Sequence, residues 1–187
     1  MIQAQYEKSI RTGELQLDAW GKFSYFSLVG FLFLITLALL PVELFVNLPA
    51  SARTPIWVPV IPGILGIFLY RLQKRRLKFD IVKTGLNGYE FFRLVQQLSK
   101  EIKWKPVFAE GEIFVAKTES GLFSVTRPKQ ITILLNKDVI MINSIFDPDS
   151  KGTVDIMGQN KKAIAVVISK IVAFEKNCSM SNRSSPL

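Results

Sequence analysis

Apolar residues follow three different patterns along this chain, and each pattern predicts a different element. From Phe23 to Val42, FSYFSLVGFLFLITLALLPV runs twenty residues without a charge. At about 1.5 Å per residue such a helix spans about 30 Å, the hydrocarbon thickness of a bilayer. This predicts a transmembrane helix over 23–42, with Pro41 near its far end and Glu43 at the interface. A second run, PIWVPVIPGILGIFLY over 55–70, is shorter and carries Pro55, Pro59, Pro62, Gly63 and Gly66. Proline removes a backbone donor, which lipid tolerates only where neighbours satisfy the freed carbonyl. Trp57 and Tyr70 bracket the run as an aromatic belt does. A second span closing a hairpin over 23–70 is expected, with a re-entrant or interfacial segment as the alternative.

Beyond the hairpin the period changes. Phe91, Leu94, Val95, Leu98 and Ile102 recur at helical spacing behind Asn87 and Glu90, which are placed as a capping box. Short β-branched and aromatic runs follow: WKPVFA, EIFVAKT, KQITILL and VIMINSI. Glu110-Gly111 and Asn136-Lys137-Asp138 separate successive pairs as hairpin turns do. GTVDIM is a further extended piece. Ile164, Val167, Ile168, Ile171 and Val172 then form a second helical stripe. The expected soluble unit is helix, about four or five mainly antiparallel strands, helix, with both helices on one face of the sheet. The fold class is thus a two-helix transmembrane hairpin followed by a small cytoplasmic α+β domain. Its divisions are a cytoplasmic N-terminal segment 1–22, the hairpin 23–70, a basic juxtamembrane linker 71–83, the α+β domain 84–177 and a disordered tail 178–187.

Charge supplies the orientation. The chain carries a formal net charge of +9, and Arg71, Lys74, Arg75, Arg76 and Lys78 cluster directly after the second apolar run. The loop between the runs holds only Arg53, so the positive-inside rule places the collar in the cytoplasm. With two crossings the N-terminal segment, carrying Lys8, Arg11 and Lys22, is cytoplasmic too. Ala50-Ser51-Ala52 resembles a signal-peptidase site. The long charged region ahead of the first run, and Pro41 and Glu43 after it, argue against a cleaved signal.

Candidate chemistry is sparse. The chain has no histidine and one cysteine, Cys178, so the usual zinc and haem ligand sets and an internal disulfide are missing. Asp147-Pro148-Asp149 begins like a calcium loop, but Lys151 stands at the fifth position and Gly158 where a bidentate Glu is needed. Glu112 and Lys117 are spaced to face opposite sides of a strand, which argues against a nuclease metal pair. No Gly-rich phosphate loop is present. No catalytic residue, metal or cofactor is assigned. Two basic features remain. The collar suits orientation and anionic lipid. Gly158, Asn160, Lys161 and Lys162 stand at the start of the last helix, where lysines oppose the helix dipole unless an anion reconciles them. Nucleic acid competes for the collar charge, but a cluster this near the bilayer already faces an anionic surface.

The stretch ITILLNKDVIMINSIFDPD, followed by GQNKK, resembles a C-terminal domain of uncharacterised bacterial two-helix membrane proteins over Lys129 to Lys162. The resemblance implies an α+β domain and no particular activity. The layout of a two-helix anchor before a β-rich domain is also similar to bacterial pleckstrin-homology-like membrane proteins, by analogy only. Together these features describe a non-enzymatic binding or scaffold protein of a bacterial inner membrane, with both termini cytoplasmic. It would present its domain to a protein partner or an anionic ligand, as a monomer or a homo-oligomer. The alternative is a membrane-disrupting effector whose hairpin forms an oligomeric pore.

Overall fold

The computed structural model describes residues 3–45, 55, 57–118, 128–149 and 159–183. In chain order the elements are α1 (Gln3–Thr12), α2 (Ala19–Phe45), α3 (Trp57–Arg76), β1 (Asp80–Lys83), α4 (Gly88–Glu101), β2 (Trp104–Glu110), β3 (Ile113–Thr118), β4 (Lys129–Asn136), β5 (Val139–Phe146) and α5 (Gln159–Arg183). The strands form one five-stranded sheet in the order β1-β5-β4-β3-β2, with every neighbouring pair antiparallel. The fold is α+β with one apolar helix near its N-terminus.

Strands β2 to β5 run as an antiparallel meander in which tight turns join β2 to β3 and β4 to β5. At the β2–β3 turn Gly111 has φ +54°, a left-handed conformation that glycine adopts without steric cost. At the β4–β5 turn Lys137 takes a similar φ of +51° and bears that cost. The capping box of α4 is present, with Asn87 accepting from Glu90 N and Glu90 accepting from Asn87 N. Phe91, Leu94, Val95 and Leu98 then face the sheet, together with Ile164, Val167 and Ile171 of α5. Val172, assigned to the same stripe by spacing, is 53% exposed, so the buried face of α5 turns away after Ile171.

The other face of the sheet is covered as well, and the boundaries read from the sequence change there. Residues 1–22 are not a separate segment. Gly13, with φ +66°, ends α1 in a left-handed C-cap and donates its N–H to Ser9 O at 2.9 Å. The chain then lays Leu15 and Leu17 against Val115, Leu134, Met141 and Ile145. Tyr6 of α1 reaches across the sheet, its hydroxyl 2.6 Å from Glu112 Oε2 and 2.8 Å from Leu135 O. Nor is 71–83 a linker: Arg71 to Arg76 complete α3 and Asp80–Lys83 pair with Val139–Ile142 as an edge strand. Of the tail 178–187, Cys178 to Arg183 continue α5 as helix, and 184–187 lie outside the described residues. GTVDIM, over 152–157, lies outside the described residues.

Asp18 caps α2, its Oδ1 accepting from Gly21 N at 2.8 Å. Ala19–Pro41 is the one described helix long and apolar enough to cross a membrane. The apolar part of α3 is shorter, because Arg71 follows Tyr70. It packs antiparallel along α2: a Cβ on Gly63 would stand 3.2 Å from Thr36 Oγ1, Gly66 lies against Leu32 and Phe33, and the rings of Phe26 and Tyr70 are 5.5 Å apart. Small residues let the two backbones approach in this way.

Candidate anion-binding groove

The end of α3 is fixed from two sides. Leu15 N donates to Leu77 O at 2.7 Å and Phe79 N to Gly13 O at 3.0 Å, so residues 13–15 bracket 77–79. From the sheet, Asn143 Nδ2 donates to Arg76 O at 3.0 Å and to Lys78 O at 2.8 Å. One turn earlier Tyr25 and Gln73 exchange bonds: Gln73 Nε2 donates to Tyr25 O at 2.8 Å, and the Tyr25 hydroxyl to Gln73 O at 3.3 Å. The collar backbone is therefore held rigidly relative to both α2 and β5.

This placement directs part of the collar at the start of α5. Arg75, Arg76 and Lys78 line a groove of about 340 Å³ together with Leu72, Phe79, Asp80, Ser144, Asn160, Lys161 and Ile164. Asn160 is buried and its Oδ1 lies 3.4 Å from Ser144 Oγ, which ties the first turn of α5 to β5. Four cationic side chains and one carboxylate, Asp80, thus surround the groove. The amino end of a 25-residue helix adds the positive pole of its dipole. Two basic features more than 80 positions apart in the sequence meet at one place. Arg71, Lys74 and Lys162 are not among the groove-lining residues, and Gly158 lies outside the described residues.

A second cavity, of about 390 Å³, lies on the opposite face of the sheet beside the start of α2. Asp18, Lys117 and Asp149 are its charged lining residues, among glutamines and Thr132. Burial pulls the Lys117 ammonium down, but its contacts with Asp149 at 2.6 Å and Asp147 at 2.9 Å outweigh this and raise its pKa above the ordinary lysine value. Among the described residues Lys117 is the one cation lining this cavity and it is paired with two carboxylates, whereas the groove lining carries four cations and one carboxylate. An anion is favoured in the groove. Glu112 and Lys117 take separate partners, Tyr6 and the Asp147/Asp149 pair.

The residues that complete the groove were hidden from sequence reasoning. Ser144 and Phe79 carry no motif, and Asn143, the residue that positions the collar, reads as an ordinary strand residue. One signal existed: a polar Asn-Ser pair inside an otherwise apolar strand needs partners on both faces. Compared with protein-family models, with curated proteins and with solved structures, the chain matches none.

Proposed function

We propose that the protein is an integral protein of the inner membrane, anchored by a two-helix hairpin with both termini cytoplasmic, and that its α+β domain binds an anionic, phosphate-bearing ligand at the membrane surface without catalysing a reaction. The observation that carries the ligand is the convergence of Arg75, Arg76, Lys78 and Lys161 on one groove beside the amino end of α5. Backbone N–H groups at a helix start and convergent cations are the usual means of holding a phosphate.

The hairpin reading is supported by the antiparallel packing of α3 on α2 and by the outward apolar surface of α3. Trp57, Ile61, Ile64 and Phe68 are all exposed, which in water would be a hydrophobic liability. With Tyr70 at the interface, Arg71 to Lys78 fall at headgroup depth.

Glycerol 3-phosphate binding by the detergent-solubilised full chain tests the ligand. Arg75→Gln with Lys161→Gln should weaken it by about 2 kcal/mol at low salt, on the order of 1 kcal/mol for each charge. Binding should also fall between low and physiological salt, where exposed charges are screened within about 8 Å. Affinity unchanged by both substitutions would place the ligand elsewhere.

A further inference from the structure

The lining of the groove is not uniformly polar. Leu72, Phe79 and Ile164 stand among its cations. On α3, Leu72 is half-buried and continues a stripe that runs down the helix through Phe68 to Leu65, which are 60% and 44% exposed. Positions 65, 68, 72 and 75 share one helix face. The stripe therefore leads without interruption from outward apolar surface into the basic groove. From Phe68 to Arg75 the helix rises about 10 Å, so an amphiphile lying along it would have its polar end between the cations.

We propose that the groove takes the phosphate of an anionic membrane phospholipid that enters sideways from the leaflet, its acyl chain lying on Leu65, Phe68 and Leu72. This rests on the phosphate-binding reading above and narrows it, because a free phosphate ester needs only Arg75, Arg76, Lys78 and Lys161 and gains nothing from the stripe. The geometry also gives the bound lipid a mechanical role. Its phosphate is shared between α3, which belongs to the helix pair, and α5, which belongs to the sheet layer, so occupancy fastens the soluble domain against the bilayer.

Native mass spectrometry of the full chain in detergent, with added lipid or ester, separates the two sources. Three probes suffice: dioleoylphosphatidylglycerol, dioleoylphosphatidylcholine and glycerol 3-phosphate. The wild-type chain should hold the phosphatidylglycerol at least tenfold more tightly than either of the others. Leu65→Ala with Phe68→Ala, both on the stripe outside the groove lining, should weaken phosphatidylglycerol about tenfold through lost apolar contact and leave glycerol 3-phosphate unchanged. Arg75→Gln with Lys161→Gln should weaken both by about thirtyfold. Should the double apolar variant misfold, Phe68→Ala alone keeps the test, since Phe68 is exposed and its loss leaves the packing intact. Equal affinity for phosphatidylglycerol and glycerol 3-phosphate, insensitive to Phe68, would overturn lateral lipid entry and leave phosphate binding standing. Equal retention of phosphatidylcholine and phosphatidylglycerol would overturn headgroup selection. Binding of none of the three probes would remove the phosphate reading itself.

Discussion

At the scale of single residues, Tyr6 makes the most consequential contact of the N-terminal layer. Burial foremost, and then the bond to the Glu112 carboxylate and its charge, hold the phenol well above its ordinary pKa. Above pH about 10 the unfolded chain releases this proton while the folded one retains it. The stability Tyr6 contributes is complete below that value and is lost as pH rises towards the folded pKa. Tyr6→Phe should cost about 2 kcal/mol at neutral pH, as expected for a lost bond to a charged acceptor, and should flatten the alkaline limb of a denaturation profile. An unchanged limb would show that Tyr6 ionises freely. Gly111 gives a second prediction. A Cβ there meets nothing within 4 Å, so Gly111→Ala isolates backbone strain. Its cost should be about 1 kcal/mol in chemical denaturation, and a neutral result would contradict the left-handed turn.

Elements differed in how visibly the sequence encodes them. Helix α4 was legible because its cap and its apolar spacing agree, and the pairs β2–β3 and β4–β5 were legible because turn residues separate their strands. Helix α1 was not, since QAQYEKSIRT offers only Ala4, Tyr6 and Ile10 as apolar positions and its stability comes from docking. Strand β1 is four residues, DIVK, overshadowed by the basic cluster before it. A usable signal for the missing layer was nonetheless present. The runs IFVA, ITILL and VIMI are continuous rather than alternating, which marks strands buried on both faces; helices on one face could not account for that. The groove was legible only in halves, since spacing along a chain does not show that α3 and α5 meet across β5. The helix pair itself is testable by cross-linking. An ideal Cβ on Gly63 stands 3.7 Å from Thr36 Cβ, within the range of about 3.5–4.5 Å that a disulfide requires. In a Cys178→Ser background, Thr36→Cys with Gly63→Cys should oxidise within the chain and shift its electrophoretic mobility. Absence of that bridge under oxidising conditions would contradict the antiparallel register.

For the whole molecule, the two-faced sheet means that the α+β unit does not begin where α3 ends. A chain starting at Lys83 would lack all of β1 but its last residue, together with the N-terminal layer, leaving Val115, Leu134, Met141 and Ile145 bare. Re-exposing four core side chains costs about 6 kcal/mol or more, most of the 5–15 kcal/mol by which a domain of this kind is stable. Such a chain should aggregate, whereas a monomeric, fully folded product would show the second face to be dispensable. The same arrangement makes α1, the collar and α5 one body, so a membrane crossed by the proposed hairpin would have all three on one side.

That common side is the central claim, and cysteine accessibility tests it most directly. In a Cys178→Ser background, Lys161→Cys reports the groove and Pro55→Cys the far end of the helix pair. A membrane-impermeant maleimide should label position 161 only in inverted vesicles and position 55 only in intact spheroplasts. Labelling of both positions from the same side would mean that α3 does not cross, and would contradict the hairpin on which the placement of the groove depends.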